Sequence, residues 1–137
     1  GLSRVVRATG DNPFVSPEAA EALLADPGTA VSDYAAHRGL PLGFGVEIVR
    51  ASALLAAQAE SSDPYEREHV CPFLYRRPER FRIHRPEAPK RLQAPEARVT
   101  VDTREDYEAV LAVAEECGFD PPSASLVSWL LGTGGKA

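Results

Sequence analysis

Two carboxylates stand where this chain could do chemistry. Asp11 sits in Gly10-Asp11-Asn12-Pro13, directly after a β-rich stretch at residues 4–9, and Asp102 sits between Val99-Thr100-Val101 and Thr103. Each is expected just past the C-terminal end of a strand, the edge of an α/β sheet where ligands bind. Gly10 lets a ligand approach the backbone without meeting a Cβ, and Thr103 opens a helix that would hold Asp102 at a fixed turn. Magnesium takes one or two protein carboxylates and fills its octahedron with water and substrate phosphates. Two aspartates on neighbouring loops would meet that demand. The same residues also have an ordinary reading. Asp before a helix bonds nearby backbone N–H groups, and Asp-Asn-Pro is common turn punctuation. Spacing alone leaves both open.

The elements that must position these residues can be traced along the chain. The stretch at 4–9 is a first strand, ended by the Gly-Asp-Asn-Pro turn. Ser16-Pro17-Glu18 starts a helix with a hydroxyl cap, a proline at its first position and an early acid. That helix stops before Pro27-Gly28, and residues 29–34 suit a short strand. A Gly-rich loop spans 36–45, a strand follows at 46–49, and an Ala/Leu-rich helix covers 51–60. Asp63-Pro64-Tyr65-Glu66 starts another helix, which Pro72 should kink or divide. Strands are expected at 80–84 and 98–101. Thr103 then caps a long helix whose buried stripe reads as Tyr107, Val110, Leu111 and Ala114, closed by Gly118. The apolar piece 126–131, with Trp129, is expected to fold back into the core, with a partner interface or a link to a following domain as the alternatives. Strands and helices alternate, so the fold class is α/β.

Composition narrows the functions. The 137 residues carry 44% apolar and 26% charged side chains with a formal charge of −5, an ordinary balance for one folded domain. That charge disfavours a nucleic-acid partner, whose phosphates demand Lys and Arg. No apolar run approaches a membrane span and no signal peptide is legible. Cys71 and Cys117 lack paired spacing, so free thiols in a cytoplasmic protein are expected. The chain contains no Met, which reads as a processed or excised piece of a longer one.

Three segments in order carry a resemblance: Arg7-Ala8-Thr9-Gly10-Asp11-Asn12-Pro13-Phe14, Asp63-Pro64-Tyr65-Glu66-Arg67-Glu68-His69-Val70-Cys71-Pro72-Phe73, and Val99-Thr100-Val101-Asp102-Thr103-Arg104-Glu105-Asp106. Together they resemble the spore-coat-polysaccharide type of cytidylyltransferase, relatives of the CMP-Kdo and acylneuraminate (CMP-sialic acid) enzymes. The resemblance implies a Rossmann-like nucleotide-diphospho-sugar transferase fold. It also implies that Asp11 and Asp102 bind a catalytic magnesium ion, and that a sugar hydroxyl attacks the α-phosphate of CTP with release of pyrophosphate. Arg7 is implied as a phosphate or sugar-carboxylate contact. Glu47, in Gly43-Phe44-Gly45-Val46-Glu47, is implied on the sugar side, and Arg67, Glu68 and His69 toward the acceptor sugar. Each retains a plainer reading: Arg7 paired with an acid, Glu47 as the outward position of a strand, Arg67 and Glu68 as a solvated helix face, His69 as a surface or hydrogen-bonded imidazole. Zinc is not expected, because His69 and Cys71 lack further ligands at useful spacing.

The departures shape the expectation. No Gly-rich loop with a basic residue precedes the first strand, and the end that begins Gly132-Thr133 lacks P-loop spacing and a Ser or Thr after its Lys. Arg104 stands where the family usually has Pro. Residues 1–118 are therefore read as the C-terminal part of such a domain with the N-terminal strands missing, and 119–137 as a Pro/Gly-rich tail with a short apolar helix. Such a piece would be inactive alone and would take CTP and sugar only when completed. An exposed sheet edge would favour a homo-oligomer or a partner domain. The alternative is a non-catalytic domain of the same fold acting in assembly or binding.

Overall fold

Residues 1–133 are described in a computed structural model; the Gly-rich end weighed above as a P-loop continues at 134–137, outside the described residues. Strand β1 (Arg4–Arg7) pairs antiparallel with β3 (Glu47–Arg50), which pairs antiparallel with β2 (Tyr34–Ala35), and β2 runs parallel to β4 (Ile83–His84). Successive side chains alternate between the sheet's faces. Ile48 and Ala35 therefore meet Leu23 on one side, while Val49 and Tyr34 meet Ala53, Ala57, Cys71, Phe73, Leu74 and Phe81 on the other. Fully burying an aliphatic side chain such as Leu23, Ile48 or Leu74 contributes about 1.5–3 kcal/mol.

The helices follow their start signals. Helix α1 (Pro17–Ala25) is capped by Ser16, whose hydroxyl accepts from Ala19 N–H at 3.0 Å. Helix α3 (Ala51–Glu60) continues directly from β3. Helices α4 (Pro64–His69) and α5 (Pro72–Tyr75) are the two pieces into which Pro72 divides one segment. Helix α6 (Arg104–Cys117) opens with a full capping box between Thr103 and Asp106. Helix α7 (Ser123–Thr133) buries Leu126 and Val127 against Phe14, Phe44, Leu92, Val99 and Val113. The Ser16 and Ser123 hydroxyls bond at 2.7 Å inside that cluster, so the segment after Gly118 shares a core with the segment before it.

Four local expectations give way. Of the strand expected at 80–84, only Ile83 and His84 join the sheet. Residues 29–34 are not a strand. Asp26 caps a short helix α2 (Pro27–Val31), accepting from Gly28 N–H at 2.7 Å, and only Tyr34 and Ala35 join the sheet. Residues 98–101 pair too briefly to count as a strand: Arg98 bridges Leu42, and Val101 N–H reaches Asp11. The buried face of α6 is Val110, Val113, Ala114 and Cys117, with Tyr107 53% exposed. The same helical period is kept, rotated by the position of α7. Among the described residues no helix is long and apolar enough to cross a membrane.

Candidate functional site

The two aspartates sit on touching segments. After β1 the chain turns at Thr9, where Asn12 N–H bonds the Thr9 carbonyl at 3.2 Å and the Asn12 amide bonds the Thr9 hydroxyl at 2.7 Å. The Asp11 carbonyl then accepts Val101 N–H at 2.8 Å and, more weakly, the Thr100 hydroxyl at 3.4 Å. Asp11 and Asp102 are thereby held on adjacent main-chain segments, both exposed to solvent. Gly43 makes the junction fit. Its φ is +88°, and a Cβ there would lie 2.8 Å from both the Asn12 side-chain oxygen and the Thr100 main-chain nitrogen. Only glycine lets the three segments close together.

The two carboxylates differ in their surroundings. Asp11 has no side-chain partner among the described residues. Asp102 Oδ2 accepts from Arg98 Nη2 at 2.9 Å. Arg98 also donates from Nη2 to Asp106 Oδ2 at 3.0 Å, and its Nε lies 3.0 Å from Asp106 Oδ1 as an ion-pair contact. Asp106 in turn accepts the N–H groups of Asp102 and Thr103 at 3.1 and 2.9 Å. Desolvation pushes the Asp106 carboxyl up, but these N–H donors, the Thr103 hydroxyl and the Arg98 charge outweigh it and hold the group below the usual Asp range.

The second group lies at the end of the β1–β3 pair. Arg7 and Glu47 are register partners, and their side chains bond at 2.6 Å. The other Glu47 oxygen accepts the Tyr34 hydroxyl at 2.9 Å. The buried Cys71 thiol lies against the same carboxylate. Burial first, then the Glu47 charge, pushes both Tyr34 and Cys71 well above their ordinary ranges. Beside them Arg85 lies over the Tyr75 and Tyr34 rings at 4.9 and 5.7 Å.

Arg67, Glu68 and His69 occupy the exposed side of α4. Arg67 reaches the Ser61 carbonyl at 3.3 Å, and the His69 ring rests on Tyr65 with centroids 4.4 Å apart. The buried acid of this helix is their neighbour Glu66, which grips Arg77 at 2.9 Å and Ser61 at 3.3 Å. Helix α4 ends at Val70 with φ 65° and ψ −62°, where Cys71 N–H bonds the His69 carbonyl at 2.8 Å. That is a strained γ-turn on a β-branched residue, and it delivers Cys71 to Glu47.

The fold thus bonds the Asp11 carbonyl to Val101, the residue before Asp102, and bonds Arg7 to Glu47. It sets Arg67, Glu68 and His69 on α4, two residues beyond whose end Cys71 abuts Glu47. Among the described residues no three His, Cys, Asp or Glu groups gather as a metal cluster. A pair of exposed carboxylates suits magnesium, which retains water and phosphate ligands. The sequence marks Gly43 as part of a Gly-rich loop but assigns no role to Asp106, Arg98 or Tyr34. Asp106 had a signal, being the third residue after the Thr103 cap, and Arg98 stands four before Asp102. Tyr34 had none, because its partner is reached only through sheet register.

Comparison with known proteins gives the setting. A cytidylyltransferase family model matches residues 2–120. The chain is 37% identical over 131 residues to the spore coat polysaccharide biosynthesis protein SpsF of Bacillus subtilis, covering 94% of this chain and 55% of that protein. It is 33% identical over 107 residues to an uncharacterized protein of Methanocaldococcus jannaschii, covering 78% and 44% respectively. Its fold is similar to that of a cytidylyltransferase from Leptospira borgpetersenii, with TM-score 0.77 and 24% identity, covering 96% of this chain and 57% of that one. That likeness shows a mixed α/β, Rossmann-like nucleotidyltransferase fold. The chain spans about half the length of the curated relatives it matches.

Proposed function

The chain belongs to the cytidylyltransferase family, and on that premise we propose that it forms the metal and acceptor-sugar part of an enzyme joining CTP to a sugar. The products are a CMP-sugar and pyrophosphate: a sugar oxygen bonds to the α-phosphorus while the bond to the leaving pyrophosphate breaks and the hydroxyl proton is released. One observation carries the reading. The Val101 N–H to Asp11 carbonyl bond of 2.8 Å holds the segments of two exposed aspartates side by side, and those residue types are the ones magnesium accepts beside phosphates.

Asp11 and Asp102 would hold the ion. When bound, magnesium supplies the charge neutralisation on which phosphoryl transfer depends. The protein's own part is positioning. Asp106 fixes the main chain of Asp102 and Thr103, and Gly43 keeps the two loops in contact. Glu47 aligns Arg7 at the end of β1 and offsets its charge, so the pair acts toward a sugar as a hydrogen-bonding unit. Arg67, Glu68 and His69 present exposed polar groups from α4.

Pyrophosphate release tests this. The 137 residues contain no Gly-rich loop of the triphosphate-cradling kind, so the chain is to be assayed alone and together with the part of the Bacillus relative outside the matched segment. The expected result is silence alone and magnesium-dependent release from CTP and acceptor in combination. Asp11→Asn or Asp102→Asn should abolish that release. Full activity in either variant would overturn the assignment, and no turnover under any combination would favour the assembly-domain reading.

A further inference from the structure

Resting on the metal reading above, we infer that Arg98 is a resident counter-cation for Asp102, held ready by Asp106 and displaced from Asp102 when a divalent cation binds. The evidence is the unequal grip of one guanidinium on two carboxylates. Nη2 is shared between Asp102 Oδ2 at 2.9 Å and Asp106 Oδ2 at 3.0 Å, while Nε is committed to Asp106 Oδ1 at 3.0 Å. Arg98 can leave Asp102 and still keep both contacts to Asp106. The two acids are also unequally exposed. Asp106 is nearly covered at 13% and is tied to two N–H groups, whereas Asp102 is open at 56%. Asp106 is therefore the fixed anchor and Asp102 the exchangeable partner.

The arrangement has a physical purpose. Asp11 and Asp102 are held on adjacent segments by the Val101 bond, and like charges on adjacent segments repel. A cation stored beside Asp102 reduces that repulsion and keeps its carboxylate oriented. The pair is solvent-exposed, so its strength is small and a divalent ion binding two carboxylates can displace it. Arg98 is on this view a positioning residue whose charge competes with the metal, setting its affinity.

Manganese(II) is the probe, followed by its electron paramagnetic resonance signal on the intact chain, with circular dichroism confirming the fold of each variant. Arg98→Met should bind manganese roughly two- to fivefold more tightly, the range that an exposed ion pair supports. Arg98→Lys keeps the charge and should stay near the wild-type affinity. Asp106→Asn can still accept both N–H groups but leaves Asp102 as the only carboxylate for Arg98, and should bind manganese more weakly. If the wild type binds through Asp11 and Asp102 while Arg98→Met binds equally or less tightly, this inference fails and the metal reading stands. If neither Asp11→Asn nor Asp102→Asn changes manganese binding, the metal reading itself is overturned.

Discussion

Arg7 and Glu47 face one another as register partners across β1 and β3, and their side chains bond at 2.6 Å while Tyr34 takes the other Glu47 oxygen at 2.9 Å. Neither charge stands alone. Two residues that the family resemblance implies as separate ligand contacts are one bonded unit, about three-quarters removed from solvent.

Breaking that unit has a defined effect. Glu47→Gln leaves Arg7 without its counter-charge and should lower stability by about 1–3 kcal/mol. Urea denaturation reads the change, and a double-mutant cycle with Arg7→Met should show coupling of roughly 1 kcal/mol or more. Additive effects would mean that the two side chains do not support each other.

Gly43 is the stitch between the aspartate loops. Gly43→Ala places a Cβ against the Thr100 main chain at 2.8 Å and forces alanine to φ +88°. The conformational part alone costs about 1–2 kcal/mol, and the clash adds to it. A variant as stable as the wild type, with unchanged amide exchange at Val101, would contradict this account of the junction.

Val70 predicts the opposite sign. Its strained γ-turn suits glycine, so Val70→Gly should gain up to about 1 kcal/mol, whereas removing a half-buried valine elsewhere lowers stability. A loss larger than about 1 kcal/mol would show that the side chain's packing outweighs the strain.

The Cys71 thiol sets an alkaline limit. Burial and Glu47 raise its pKa in the folded state, so the unfolded chain loses its proton first once pH passes about 8.5. The native state then binds more protons, and stability falls as pH rises, by up to about 1.4 kcal/mol per unit. Below that pH the contribution is complete. Cys71→Ser should flatten most of the decline between neutrality and the tyrosine range, Cys117 supplying the rest. An unaltered slope would refute it.

Legibility differed by the range of the cause. Ser16, Asp63 and Thr103 marked helix starts that the structure reproduces, because a cap acts within a few residues of itself. Pro72 divided its helix for the same local reason. Residues 29–34 misled, since Thr29, Val31 and Tyr34 suit a strand only if the Asp26 cap is overlooked. The face of α6 was displaced because periodicity gives a stripe's spacing, while its direction depends on where α7 lies. The short apolar helix expected within 119–137 is α7, and its Leu126 and Val127 are almost wholly buried.

The order of residues by itself determined the helix caps, the breaks at proline, the three family segments and the identity of Asp11 and Asp102 as acids at turns. Each depends on neighbours within a few positions. Only the tertiary structure decided that the Asp11 carbonyl meets Val101, that Glu47 is claimed by Arg7 and Tyr34, and that Asp102 shares a guanidinium with Asp106. The first two join residues far apart in the chain through sheet register and a loop crossing at Gly43. The third depends on the direction in which Arg98 turns, which no spacing records.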